Sequence, residues 1–165
     1  MRLIIHDLLR EQAELFIPPQ DEETKIIYEK GRIHPCTGCF GCWLQTPGTC
    51  VMKDGYHKMG KELSRCDELM IVSRCVYGGF SPFVKNVLDR SIGYVLPEFE
   101  IRNGEMHHAL RYSNTIRMRV LFYGSDIAEW EKETARRIVE ANAENLGCTV
   151  EEVVFEMQDL GGLPC

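Results

Sequence analysis

The sequence predicts an α/β protein, a doubly wound sheet of five parallel strands with helices on both faces, and three observations carry that prediction. Strand-like apolar runs alternate with helix-period segments along the whole chain, the order that a parallel sheet needs. Leu69-Met70-Ile71-Val72 is apolar without interruption, as expected of a central strand covered on both faces. After the Gly78-Gly79 turn, Ser81-Pro82 joins an N-cap residue to a proline at the first helical position, the clearest helix start in the chain. With 165 residues, no internal repeat and no low-complexity segment, residues 1–165 read as a single domain.

Taken in order, Arg2-Leu3-Ile4-Ile5 is the first strand and Thr24-Lys25-Ile26-Ile27-Tyr28 the second, bounded upstream by Pro18 and Pro19. Between them Leu8 to Phe16 makes about two turns of helix, a shortened first crossover. A cysteine-rich loop follows. Asp54 then reads as the N-cap of a weak helix to about Arg65, interrupted by Gly60, with Tyr56, Met59 and Leu63 facing inward. Asp67 to Ser73 is the third strand, and Phe83, Val84, Val87, Leu88 and Ile92 recur at helical spacing after it. Residues 97–115 hold Pro97, Gly104, His107 and His108 with no long period, and read as an irregular surface insertion. Arg117 to Tyr123 is the fourth strand. Asp126 with Glu129 reads as a capping box for a long helix that ends at Gly147, with Ile138, Val139, Asn142 and Leu146 on one face, and Thr149 to Phe155 is the last strand.

Composition excludes some functions. Net charge is −6 and the basic residues are scattered, which argues against a nucleic-acid partner. No stretch reaches the roughly 18 apolar residues of a membrane span, and the N-terminus lacks the order of a secretory signal, so the expected setting is cytoplasmic. In a reducing compartment, closely spaced cysteines mean thiol, metal or cluster chemistry more often than disulfides.

HPCTGCFGCWLQTPGTC sets Cys36, Cys39, Cys42 and Cys50 in a C-x2-C-x2-C-x7-C spacing. That spacing suits the loop around a 4Fe-4S cluster, whose thiolates reach different irons of one cube, with Gly38 and Gly41 allowing tight turns between ligands. Tetrahedral zinc also takes four thiolates, although paired knuckles are its commoner pattern. The plain alternative is a compact loop of small, reduced residues anchored by Phe40 and Trp43. A second constellation is Ser73-Arg74-Cys75-Val76-Tyr77-Gly78-Gly79-Phe80 at the carboxyl end of the central strand. There a glycine turn lets backbone approach a flat ring; the competing reading is an ordinary turn, with Lys85 and Arg90 solvated beyond it. His107 and His108 are a third candidate; in an extended loop they point in opposite directions, so one of them can line a pocket but they cannot share a metal.

Together these segments resemble the flavodoxin-like superfamily, and within it the NAD(P)H-dependent FMN reductases and iron-sulfur flavoproteins. The matching stretches are CTGCFGCWLQTPGTCVMKD, the Ser-x-x-x-Tyr-Gly-Gly turn, SPFVKNVLDR and GEMHHALRY, in the right order from about residue 33 to 147. The resemblance implies sheet order 2-1-3-4-5, FMN at the carboxyl ends of the strands, and a homodimer or higher homo-oligomer in which a neighbour closes the flavin site. It implies that Ser73, Arg74, Cys75, Val76, Tyr77, Gly78, Gly79 and Phe80 lie beside the flavin ring, with the loop from Cys36 to Cys42 near the same edge. It also implies a flavin-dependent oxidoreductase that takes electrons from a nicotinamide nucleotide to a small acceptor, with Cys36, Cys39, Cys42 and Cys50 as candidate 4Fe-4S ligands. No residue is singled out as catalytic.

Two departures stand out. Where the family has a Gly/Ser/Thr-rich phosphate loop, this chain has His6-Asp7-Leu8-Leu9-Arg10-Glu11, and Asp7 repels a dianionic phosphate. Cys75 replaces a proline common in relatives. Two other functions therefore compete: a degenerate flavodoxin-like binding or assembly module that has lost FMN, and an iron-sulfur electron carrier without flavin.

Overall fold

The computed structural model describes residues 1–19 and 21–156. Five parallel strands form one sheet: β1 (Arg2–His6), β2 (Thr24–Ile27), β3 (Glu68–Arg74), β6 (Ile116–Tyr123) and β7 (Cys148–Glu156), in the order β2-β1-β3-β6-β7. Counting only these strands, the order is the expected 2-1-3-4-5. The register lines up a row of branched side chains across the sheet, from Ile27 through Ile5, Ile71 and Val120 to Val153. β3 is central, paired with β1 and β6, and Leu69, Ile71 and Val72 are wholly buried.

Strand alternation divides the core between the two faces. Leu3, Ile5, Leu69, Ile71, Met118, Val120 and Phe122 pack with α3 (Met59–Ser64), α4 (Pro82–Asp89) and α5 (Glu129–Leu146). Val72 and Tyr123, with Met70 and Leu121, pack with Leu8 and α1 (Arg10–Phe16), the short helix of the shortened crossover. The start of α4 is as expected: Ser81 Oγ accepts the Val84 amide at 3.3 Å and Pro82 opens the helix. Gly147 closes α5 in the left-handed conformation, with φ 66°.

Four expectations need correction. Residues 97–115 are largely ordered as a hairpin, β4 (Val95–Arg102) and β5 (Glu105–Leu110), joined by Asn103-Gly104 with positive φ at both residues. Asn-Gly supplies the backbone geometry of a two-residue hairpin turn, which sets the two strands antiparallel. Asp54 caps no helix, because its carboxylate is taken by Arg90. α3 begins only at Met59 and runs through Gly60, whose bare Cα lets the helix approach the Gly48 carbonyl; an added Cβ would sit 2.5 Å from that oxygen. The cap of α5 lies two residues later than expected, with Glu131 Oε2 accepting the Ala128 amide at 3.0 Å.

The Gly60 contact is with backbone, which cannot rotate aside. Gly60→Ala should therefore cost about 1–3 kcal/mol of stability, read as a lower urea midpoint at unchanged slope.

Candidate functional site

The cysteine loop is built from local turns and one buried ion pair. Gly38 and Phe40 adopt positive φ, 66° and 58°, which turns the chain twice before α2 (Gly41–Leu44). Thr46 and Thr49 close the following turn on each other, each hydroxyl donating to the other's carbonyl at 2.7 and 3.0 Å. Beyond α4, the Arg90 side chain is fully buried and reaches both flanks of the loop. Its Nη1 donates to Asp54 Oδ2 at 2.7 Å and to the His34 carbonyl at 2.6 Å; its Nη2 donates to Asp54 Oδ1 at 3.0 Å and to the Met52 carbonyl at 3.1 Å. Asp54 also accepts the amides of His34 and Tyr56. The loop from His34 to Asp54 is thus clamped at both ends by one guanidinium.

All four candidate ligands, Cys36, Cys39, Cys42 and Cys50, line one cleft of about 580 Å³. Its other walls come from Phe40 and Trp43, from Leu88, Asp89 and Arg90 at the end of α4, from His108 on the hairpin, and from Asn142 and Asn145 on α5. Phe40, Trp43, His108 and Phe99 touch in succession, at centroid spacings of 5.5, 5.0 and 4.6 Å, with the outer two pairs stacked and Trp43–His108 tilted. Trp43 is pinned by its Nε1, which donates to the Val95 carbonyl at 2.9 Å. His107 turns the other way and meets Asn145, as expected of adjacent residues on a strand.

The thiols have distinct electrostatics. The Gly41 amide and then the Thr37 hydroxyl lower the pKa of the exposed Cys39, with Arg90 adding a smaller pull. Cys42 is pushed up, first by burial and then by its neighbours Cys50, Cys36 and Cys39. Cys66, in the core, and Cys148, half-buried against it, are raised by burial to about 11 and about 12. The seven described cysteines are all free. Among the described residues no three His, Cys, Asp or Glu side chains converge as a single ion requires. Four thiols on one cleft are the donor type that a cluster takes, each thiolate on its own iron.

Of the predicted residues from Ser73 to Phe80, Arg74 alone borders a second cleft. Arg74 lines a cavity of about 430 Å³ with Asp7, Leu9, Gln12, Glu29, Ser81, Pro82, Phe83, Asn86 and Tyr123. It lies at the carboxyl ends of β1 and β3, where strand order reverses. No cysteine borders it, so the loop and the turn do not share the edge expected of them. α4 separates them, with Pro82, Phe83 and Asn86 on one cleft and Leu88 to Arg90 on the other.

The donors that a flavin phosphate needs are spent here. Asp7 accepts the Arg74 amide with both oxygens at 3.1–3.2 Å, His6 Nδ1 accepts the Leu8 amide, and Gln12 accepts the Leu9 amide. Val76 and Gly79 exchange both backbone hydrogen bonds, the Cys75 amide goes to the Tyr123 carbonyl, and Tyr77 stands 82% exposed. Ser73 is buried, its Oγ accepting the Ser81 amide, and Phe80 packs on Phe122 in the core. FMN does not fit this cleft through phosphate contacts, because two carboxylates, Asp7 and Glu29, face it beside a single cation.

Known proteins place the architecture. No protein-family model matches the chain. An azoreductase superposes with a TM-score of 0.56 at 10% identity, over 94% of this chain and 86% of that one. The general stress protein 14 of Treponema denticola, solved with FMN, gives 0.54 at 12% identity over 94% and 84%. The chain has a flavodoxin-like fold. An FMN-dependent NADH-azoreductase of Bacillus anthracis, also solved with FMN, shares the flavodoxin-like fold with a TM-score of 0.52 at 11% identity, over 96% and 89%. In sequence, the chain is 30% identical over 82 residues to an iron-sulfur flavoprotein of Archaeoglobus fulgidus; the match spans 49% of this chain and 39% of that protein. Among the described residues no helix is long and apolar enough to cross a membrane.

Arg90 and the role of Asp54 escaped the sequence, since the partners stand 36 residues apart and Arg90 reads as a solvated helix-end charge. Asp54→Ala, which strands a buried guanidinium, should cost about 3–5 kcal/mol. Burial alone would raise the Asp54 pKa, but Arg90 and the two amides hold it below the usual value. Its contribution is therefore complete above the unfolded carboxyl's pKa of about 3.9 and lost as pH falls through the lower folded value. Stability measured against pH should fall at this acid limb in the native protein and much less in Asp54→Ala.

Proposed function

We propose that the chain is an iron-sulfur oxidoreductase of the flavodoxin-like fold, with Cys36, Cys39, Cys42 and Cys50 holding a 4Fe-4S cluster. The observation that carries this reading is the opening of all four thiols onto one cleft. The similarity of half the chain to an iron-sulfur flavoprotein supports it. When bound, the cluster supplies one-electron transfer, and the polypeptide prepares its ligands. Gly41 N–H and the Thr37 hydroxyl favour the thiolate of Cys39, while Cys42 must shed a proton that burial and its neighbours hold. The rings of Phe40, Trp43 and His108 form one wall of the cleft. A reduced nicotinamide gives up two electrons as hydride and a cluster takes one, so the proposed donor to the cluster is a one-electron carrier and a small molecule the proposed acceptor, in a protein that works as a homodimer or higher homo-oligomer; a nicotinamide nucleotide as donor belongs to the flavin reading, where FMN would take the hydride.

A second reading, an FMN-dependent reductase, is favoured by the cleft at the switch point of the sheet. It would need flavin contacts other than the usual phosphate loop.

Protein purified or reconstituted without oxygen should be brown and carry about four irons and four acid-labile sulfides per chain. Cys36→Ser, Cys39→Ser and Cys42→Ser should each lose most of that iron, whereas Cys66→Ala, in the core, should keep it. Colourless native protein without iron would overturn the cluster. Titration with FMN, followed by flavin fluorescence, decides the second reading, which fails if no quenching saturates. If neither group binds, the chain is a flavodoxin-like binding module.

A further inference from the structure

The clamp that holds the cysteine loop has one unused donor. The terminal nitrogens of Arg90 are fully engaged by Asp54 and the carbonyls of His34 and Met52. Its Nε is buried and has no hydrogen-bond partner. A buried donor without an acceptor is rare and costly, so the group calls for an explanation. Arg90 lines the cysteine cleft, and so does Cys50, which is 8% exposed. Burial would lower the Arg90 pKa, yet Asp54 and the adjacent Cys50 sulfur together hold it above its usual value. Guanidinium and sulfur face the same cleft. A neutral thiol is a poor acceptor, whereas a thiolate bound to iron is a strong one for a cationic donor.

We propose that Arg90 is a positioning residue for the cluster, its Nε–H donating to the sulfur of Cys50 once that sulfur ligates iron, and that this bond sets the cluster's reduction potential. The inference rests on the cluster reading. Hydrogen bonds and positive charge beside cluster sulfurs favour the reduced, more negative state and so raise the potential. Arg90 brings both, without exposure to water that would screen them. Asp54 has the opposite influence, because its carboxylate lies against the same guanidinium and offsets part of the charge felt at the cleft. Clamp and tuner are thus one side chain, with the terminal nitrogens fixing the loop and Nε addressing its ligand.

The test compares reconstituted native protein with Arg90→Lys and Asp54→Asn, using equilibrium redox titration of the cluster signal alongside iron content and circular dichroism. Lysine keeps the charge and loses the fork, so Arg90→Lys should bind iron with a lower potential. Asparagine keeps an acceptor for the fork and removes the negative charge, so Asp54→Asn should raise the potential. Shifts of opposite sign in folded, iron-loaded protein support the inference. A purely structural clamp would reduce iron occupancy in one or both variants and leave the potential of the loaded fraction at the native value, which overturns it. Should one variant fail to fold, the sign of the shift in the other still decides. Absence of iron from the native protein overturns the cluster reading itself, a result distinct from unchanged potentials.

Discussion

Arg90 and Asp54 meet in a two-pronged ion pair, and the placement of the cysteine loop depends on it. A buried pair is weak evidence of net stabilisation, since desolvation consumes much of the Coulomb gain. Its value here is in specificity. Asp54 accepts four hydrogen bonds, two from the guanidinium and two from backbone amides, and Arg90 adds two carbonyls from opposite flanks of the loop. Another position of the loop would leave several of these buried groups unmade at once. The loop between β2 and α3 has little regular structure beyond the single turn of α2, so this network supplies the rigidity that secondary structure does not.

The same chain that opens a cleft beside α4's end takes up the free amides of the usual one at its start. In a parallel sheet the switch point attracts ligands because strand ends and helix starts leave amides unpaired. Here side chains of the chain itself take those amides: His6, Asp7 and Gln12 each accept one. The turn from Val76 to Gly79 is bonded to itself and packs on α5, where a Cβ on Gly78 would sit 2.8 Å from Thr134. α4 spans eight residues, roughly 12 Å, and keeps the two clefts at its opposite ends.

What the sequence made legible was local or strongly patterned. The continuous apolar run of β3, the Ser81-Pro82 start and the Gly147 stop each report a conformation through their own chemistry; alternation of the elements implies the parallel sheet, and its strand order came from the family resemblance. The hairpin was harder to read because β4 mixes Phe99 and Ile101 with Glu98, Glu100 and Arg102 and keeps both apolar residues exposed. Its Asn103-Gly104 turn was the available signal. Asp54 misled because an aspartate before a helical segment has a local use as a cap, and only the fold brings Arg90 to it. The spacing of the cysteines told which residues belong together. It carried no information on which cleft they face, since that depends on where α4 ends.

The cysteines themselves divide by environment, and this division is what gives the loop chemical meaning. Cys66 in the apolar core and Cys148 against it are held far up by burial, where a thiolate is unaffordable and the residue acts as a small hydrophobe. Cys75 is raised too, by burial first, despite the Gly78 amide that points to its sulfur. At Cys39 the balance changes, because left-handed turns at Gly38 and Phe40 set the Gly41 amide at its sulfur, whereas Cys42 in the same loop is raised by burial and by its neighbours. A sulfur that must become anionic to bind iron needs donors and positive charge at short range, and Cys39 has both. Spacing proposes four ligands; a common cleft is the physical reason that those four, and not Cys66 or Cys148, can meet one group.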